Sequence, residues 1–121
     1  MEKKKYPIFL EPELAARIGY KEAIVLAGIQ IAAIVEMTEH EDMHDYLQLT
    51  NNQLLDRYLA NSMSVSTLKR KQKSLEDQGL IEINKSVKPH QIWVKKREVL
   101  KIIPDFLAEI VTVISDVEQE K

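Results

Sequence analysis

The segment SVSTLKRKQKSLEDQGLI, residues 64–81, decides the expected fold. Ser64 is a preferred N-cap residue, and Leu68 and Leu75 recur at helical spacing, which predicts a helix with one apolar face. Gly79 stands where an α-helix commonly ends, because glycine adopts the left-handed conformation that terminates many helices. The other face of the helix is rich in lysine and arginine. The segment therefore predicts a short cationic helix that ends at Gly79, with a different type of secondary structure directly after it.

The residues on either side of this helix predict a second helix before it and a β-hairpin after it. Apolar residues alternate at Leu80–Ile83 and at Gln91–Lys95, and the turn-forming NKSVKPH at 84–90 lies between them, which predicts a β-hairpin with a basic loop. Upstream, Thr50 is a good N-cap for a helix at Asn51–Tyr58. Two helices joined by a short turn and followed by a hairpin are typical of a winged helix.

The rest of the chain is expected to be mainly helical. The remaining expected elements are a short strand at Pro7–Leu10, a brief helical turn that starts at Glu11-Pro12 and stops at Gly19, a long apolar helix at Lys21–Met37, a short strand at Tyr46–Leu49 and a final helix at Asp105–Val117. The expected fold is mainly α with a small β-hairpin wing: a winged helix-turn-helix domain at 1–103, then a C-terminal amphipathic helix and acidic tail at 104–121.

Two apolar patterns predict close packing. In the long helix, the small residues Ala27, Gly28 and Ala32 would let another backbone approach closely. In the final helix, apolar residues follow the alternating spacing of a coiled-coil seam. These are Ile103, Leu107, Ile110, Ile114 and Val117. This stripe either forms a homodimer or covers the core of its own domain.

Charge and composition narrow the class of function. The formal net charge is only −2, but residues 63–101 hold ten basic and four acidic side chains, so the local field there is positive. With no cysteine, a disulfide framework, a thiolate zinc site and a cysteine nucleophile are excluded. The apolar run Ala23–Val35 is too short to span a bilayer, so we expect no membrane partner. The absence of cysteine fits a reducing compartment, and we expect a cytoplasmic protein. No Gly-rich phosphate loop or Ser-His-Asp set is present, and we expect neither an enzyme nor a cofactor.

One short motif points to different chemistry. HEDMH, from His40 to His44, matches the H-E-x-x-H pattern in which two histidines on one helix face bind zinc and Glu41 acts as a base. The surrounding segment is polar, follows the long helix rather than lying within it, and offers no evident third ligand beyond Glu36, Asp45 or Asp56. We therefore interpret it as a solvated acidic linker and expect no metal site, with adventitious metal binding by the two histidines left open.

The winged-helix order carries a family resemblance. LTNNQLLDRYLANSMSVSTLKRKQKSLEDQGLIEI, residues 49–83, resembles the winged helix-turn-helix of phage and plasmid replication-initiation proteins of Gram-positive bacteria, and RIGYKEAIVLAGIQ, residues 17–30, is similar to the helix that precedes it there. The resemblance spans roughly residues 8–97. It implies a DNA-binding protein of a mobile genetic element, acting in replication initiation or in control of transcription or transfer. The chain departs from the pattern at Lys71 and at Gln72, which lies on the apolar face and should be partly buried and hydrogen-bonded.

The residue types at the expected site suit double-stranded DNA. A recognition helix presents short polar groups and long cations near its N-terminal turn, Arg70 can contact guanine through two hydrogen bonds, and free amides at helix starts suit phosphate. The residues expected to contact DNA are Thr50, Asn51, Asn52, Ser64, Ser66, Thr67, Lys69, Arg70, Lys73, Lys85, Lys88 and His90. The alternative is a protein-interaction module that keeps the winged helix as a scaffold without binding DNA.

Overall fold

A computed structural model describes residues 4–39 and 46–119 of the chain. These residues form six helices and one antiparallel pair of strands. The elements are α1 (Pro12–Ile18), α2 (Tyr20–Glu39), α3 (Asn51–Tyr58), α4 (Val65–Asp77), β1 (Ile81–Asn84), β2 (Gln91–Val94), α5 (Lys96–Ile102) and α6 (Phe106–Gln119). The prediction of a mainly α-helical protein with a small β-hairpin is confirmed.

Helix α2 is the centre of the core. Every residue from Ala23 to Ala32 is buried, and α1, α3, α4 and α6 all pack against this helix. The close approach predicted at Gly28 is confirmed, because a Cβ atom there would lie 2.5 Å from Leu59 Cδ2 and 3.3 Å from the Tyr58 carbonyl oxygen. The end of α3 therefore crosses α2 at a position that only glycine leaves open.

Local capping fixes the starts of helices α3 and α4. Thr50 and Gln53 form a reciprocal capping box at α3, with Thr50 Oγ1 accepting from the Gln53 N–H. Ser64 Oγ accepts from the Thr67 N–H at 3.1 Å and caps α4. Gly79, at φ 77°, follows the last residues of α4 in the left-handed conformation. All three predicted boundaries are confirmed.

The hairpin has a third partner upstream. β1 and β2 pair from Ile81 opposite Val94 to Asn84 opposite Gln91. Leu47 makes an isolated antiparallel bridge with Ile92, through backbone hydrogen bonds of 2.8 and 2.9 Å. The strand predicted at Tyr46–Leu49 is thus reduced to a single bridge, at the place between α2 and α3 where a third strand of the sheet would lie.

One expectation for secondary structure was wrong, and one helix was not predicted. The segment Pro7–Leu10 forms no strand: Pro7 has no N–H to donate, and the preceding Tyr6 N–H bonds to the Arg57 carbonyl at the end of α3. Helix α5 was not predicted. It is seven residues long, follows β2 after only Lys95, and begins without a side-chain cap.

Helix α6 completes the core of the chain. Ile110, Ile114 and Val117 of the predicted seam are buried together with Phe106, Ile103 is buried just before the helix, and Leu107 is partly buried. This burial favours the interpretation that the stripe covers its own domain. A homodimer through the same five residues stays a prediction.

No single helix in the described ranges is long and apolar enough to cross a membrane. Only α1 and α2 taken together have the length and apolar composition of a membrane span, and these two helices meet at a bend of 120°. The apolar residues of α2 are instead buried against the other helices of the chain.

Candidate nucleic-acid interface

Helix α4 separates into a buried face and an exposed face. Leu68, Gln72 and Leu75 are buried, whereas a polar and cationic row faces outward because residues three and four apart share one side of a helix. The exposed row consists of Ser66, Lys69, Arg70 and Lys73. The predicted cations of this helix, Lys69, Arg70 and Lys73, are therefore all exposed at the surface.

Specific polar contacts set the position of α4 on the core. Gln72 Nε2 donates to Asn51 Oδ1 at 3.2 Å, which confirms the prediction of a buried, hydrogen-bonded side chain. On the neighbouring side, Ser74 Oγ donates to Glu22 Oε2 at 2.9 Å and Lys71 Nζ lies 3.5 Å from the same oxygen. Burial raises the pKa of Glu22, but the hydrogen bond from Ser74, a hydrogen bond from the Glu22 backbone and the charge of Lys71 together outweigh it and hold this pKa below its ordinary value.

An open groove of about 480 Å³ lies between α4, the start of α3 and the hairpin loop. Both apolar and polar side chains line it. The apolar lining residues are Leu49, Ile83, Pro89 and Ile92, and the polar or cationic ones are Thr50, Asn51, Lys69, Gln72, Lys88 and His90. Five of the residues predicted from the sequence thus meet at one place, although they come from three separate elements.

The charge of this groove has one sign. Its lining contains two lysines and a histidine but no carboxylate. Within the described part of the chain, neither Lys69 nor Lys88 has an ion-pair partner, and both side chains belong to exposed residues. A chain of net charge −2 therefore holds a local site that is positive and uncompensated.

Two other predicted cations are already paired. Lys73 Nζ lies 2.7 Å from Asp77 Oδ1, and this hydrogen bond raises the pKa of Lys73. Lys85 Nζ lies 3.9 Å from Glu76 Oε1. Both lysines remain exposed, but a nearby carboxylate reduces what each can offer to an anionic partner.

The N-terminus of α3 contributes backbone donors beside the groove. The capping box uses the Gln53 amide at 3.1 Å and the Thr50 amide at 2.9 Å. The amides of Asn51 and Asn52 belong to the first turn, where the helix itself supplies no acceptor. Since Thr50 and Asn51 line the groove, these donors lie near Lys69 and Lys88.

Two residues that were not among the predicted contacts, Gln48 and Asn84, stabilise the hairpin loop through hydrogen bonds. Gln48 Nε2 donates to the Pro89 carbonyl at 3.0 Å, which ties the loop to the segment before α3. Asn84 Oδ1 accepts from the Ser86 hydroxyl at 2.7 Å and from its N–H at 3.1 Å. Asn84 at the start of a turn is the kind of pattern that predicts such a bond. The bond from Gln48 spans 41 positions, and no local pattern predicts it.

The other predicted contacts lie along α4 and α3 rather than in the groove. Arg70 Nη2 donates to Thr67 Oγ1 at 3.1 Å, which directs the guanidinium toward the N-terminal turn. Ser64 uses its hydroxyl to cap the helix and to donate to Thr67 Oγ1. Asn52 and Ser66 are exposed, so each is open to a partner.

The structure gives no metal centre in the ranges it describes. Among residues 4–39 and 46–119, no cluster of three or more His, Cys, Asp or Glu side chains has the geometry to hold a metal ion. The HEDMH motif, with His40 and His44, lies outside the described residues.

Comparison of the chain with protein-family models, with curated proteins and with solved structures gave no match in any of the three. The nature of the site rests on its own geometry: an exposed cationic helix, a hairpin loop and a helix start that share one positive groove.

Proposed function

We propose that this chain is a winged-helix protein that binds double-stranded DNA, with α4 as the recognition helix and the loop at 85–90 as the wing. The order α2, Leu47 bridge, α3, α4, β1, β2 supports the winged-helix assignment. The proposed setting is a mobile genetic element, in replication initiation or in regulation of transcription or transfer.

A single observation carries the proposal. Lys69 of α4 and Lys88 of the hairpin loop line the same groove without a carboxylate in its lining, beside the free amides at the start of α3. DNA-binding surfaces need positive charge that is not already neutralised by the protein, because affinity comes largely from release of counterions by phosphate contacts. About five such contacts would give a slope of log K against log salt of roughly −4 to −5.

The acidic remainder of the chain is compatible with this role. Helix α3 has eight residues, so its two ends lie roughly 10 Å apart at 1.5 Å per residue. At physiological salt the Debye length is about 8 Å, so exposed carboxylates beyond the far end of α3 are largely screened from the groove.

The protein-interaction alternative has less support. It would use Ala23–Val35 or the tail helix as a partner surface, but Ala23–Ala32 are buried inside the chain. Ile110, Ile114 and Val117 of α6 are buried there as well.

A pair of double variants with equal charge changes tests the proposal. We expect Lys69→Gln with Lys88→Gln to weaken binding to a labelled duplex at least tenfold, and to make the salt slope shallower by about 2, as expected for two lost phosphate contacts. The matched control, Lys73→Gln with Lys85→Gln, removes the same charge from lysines that are already paired and should weaken binding less. Fluorescence anisotropy at several salt concentrations measures both, and circular dichroism checks that the variants fold.

Two results would contradict the proposal: a wild-type protein without salt-dependent duplex binding, or equal losses in the two double variants. If the wild-type protein binds duplex as expected, footprinting across the DNA that flanks the chain's own gene would locate its specific site.

A further inference from the structure

His90 places an ionisable ring in the cationic groove. It is exposed in the hairpin loop, two residues after Lys88, and lines the groove together with Lys69 of α4. Histidine is the side chain whose ordinary charge change falls between pH 5 and 8. The charge of the groove therefore depends on whether this ring carries a second proton.

Among the residues that the structure describes, those that line the groove with His90 are neutral or positive. The start of α3 supplies Thr50 and Asn51, α4 supplies Lys69 and Gln72, and the strands supply apolar side chains. The segment before α3 supplies Leu49 and the amide of Gln48, which bonds the Pro89 carbonyl.

The carboxylates of α4 and β1 are engaged with lysines elsewhere. Asp77 lies 2.7 Å from Lys73 Nζ, Glu76 lies 3.9 Å from Lys85 Nζ, and Glu82 lies 3.8 Å from Lys95 Nζ. The lining of the groove, all of it within the described ranges, therefore contains no counter-charge for a doubly protonated imidazole. An anion bound in the groove would supply that charge, because a nearby negative group favours the protonated ring.

We infer that this groove seats a phosphate of the DNA backbone and that His90 takes up a proton from solvent as the phosphate binds. This inference rests on the proposed function and adds a regulation to it: the affinity for DNA rises as the pH falls. Linkage sets the limit, since uptake of one proton changes the affinity by at most tenfold per pH unit. We expect binding to be about three- to tenfold tighter at pH 6.0 than at pH 7.5.

The chain allows a clean experiment because it contains only three histidines. Duplex affinity is measured by anisotropy from pH 5.5 to 8.0 at constant ionic strength for the wild type, for His90→Gln, and for the control His40→Gln with His44→Gln. The wild type and the control should show the same rise in affinity toward low pH, and His90→Gln should lose most of it. NMR of the His90 ring gives a second readout, and its titration midpoint should move upward when the duplex is bound.

The possible failures separate two claims. If the duplex binds but His90→Gln keeps the full pH dependence, or the ring midpoint does not move, the proton-coupled phosphate seat is wrong while DNA binding stands. If the control loses the pH dependence instead, the coupled group lies in the HEDMH segment and the inference is equally wrong. If no duplex binds at any pH, the proposed function itself has failed.

Discussion

The two ends of helix α3 show how one chain treats positive charge in opposite ways. At its N-terminus, Thr50 and Asn51 open onto the groove where Lys69 and Lys88 have no carboxylate in the lining. At its C-terminus, Arg57 is buried and donates to Glu36 Oε2 at 2.6 Å, to Glu39 Oε2 at 2.7 Å and, through Nε, to the Lys4 carbonyl at 2.7 Å. The first end offers charge to a partner, whereas the second satisfies it internally.

Aromatic rings close the C-terminal end further. Tyr6 and Tyr58 stack with their ring centroids 5.4 Å apart, and the Arg57 guanidinium carbon lies 5.2 Å from the Tyr58 centroid. Burial, followed by the hydrogen bond to Glu36, raises the pKa of Tyr58 far above its ordinary value, so this phenol stays protonated and donates to the carboxylate at 2.6 Å. Burial and bonding partners, rather than residue type, therefore distinguish the structural cation Arg57 from the candidate binding cations Lys69 and Lys88.

The largest effect should come from breaking the closed end. Arg57→Ala leaves Glu36 with one partner fewer in a partly buried position, and loss of one member of a buried ion pair is expected to lower the free energy of unfolding by about 3–5 kcal/mol. Urea denaturation measures the loss, with the exposed Arg17→Ala as a control that should change stability by less than about 0.5 kcal/mol. Equal effects of the two variants would show that the cluster is not structural.

A second variant tests the packing at the same end. Gly28→Ala places a methyl group against the buried Leu59 and the Tyr58 carbonyl, and overpacking of this kind is expected to destabilise the protein by about 1–3 kcal/mol. In a double-mutant cycle, Leu59→Ala removes the nearest clash, so the combined loss should be smaller than the sum of the two single losses. Strict additivity would mean that positions 28 and 59 are not coupled and that the added methyl group does not clash with Leu59.

The sequence predicted the parts of the fold that depend on neighbouring residues. The caps at Thr50 and Ser64, the end of α4 at Gly79 and the hairpin all follow from local chemistry, and all were found. A close approach of another backbone at Gly28 was also predicted, from the small residues Ala27, Gly28 and Ala32, but the sequence did not indicate that the end of α3 would make it.

The sequence did not predict what depends on distant partners. Residues 63–101 contain ten basic side chains, but not all of them lie at the site. Lys71 pairs with Glu22. The backbone N–H of Lys95 donates to the Leu80 carbonyl, which places Lys95 at the base of the hairpin, away from its loop. The sequence also did not predict that Lys73 pairs with Asp77 and Lys85 with Glu76. No structural role was predicted for Arg57, because nothing in the neighbouring sequence indicates that it forms ion pairs with Glu36 and Glu39. Charge counts therefore predicted the sign of the site but overstated the charge available there.

A smaller and pH-dependent effect should come from the contact that holds α4. Glu22→Gln weakens the hydrogen bonds from Ser74 and Lys71 and is expected to cost about 1 kcal/mol at pH 7. The pKa of Glu22 is lower in the folded protein than its ordinary value, so its stabilisation is present above the ordinary glutamate pKa of about 4.3 and is lost as the pH falls through the folded value. The difference between wild type and variant should therefore shrink below about pH 4 in urea titrations.

Ser74→Ala provides the control for this pair. It removes the donor at 2.9 Å, so its loss should resemble that of Glu22→Gln, and the double variant should lose less than the sum. A difference that stays constant down to pH 3 would show that the charge of Glu22 does not contribute.

The smallest effect on stability should come from the open end, where Gln48 holds the hairpin loop. Gln48→Ala removes an exposed hydrogen bond to the Pro89 carbonyl, so the free energy of unfolding should change by less than about 0.5 kcal/mol. On the proposed function, the freed loop must be ordered again when DNA binds, and an ordering cost of about 0.5–1.5 kcal/mol corresponds to roughly two- to tenfold weaker binding. Anisotropy with a duplex and urea denaturation of the same sample separate the two quantities. A variant that loses stability but keeps its affinity would reverse the contrast between the two ends of α3, because the open end would then be the structural one.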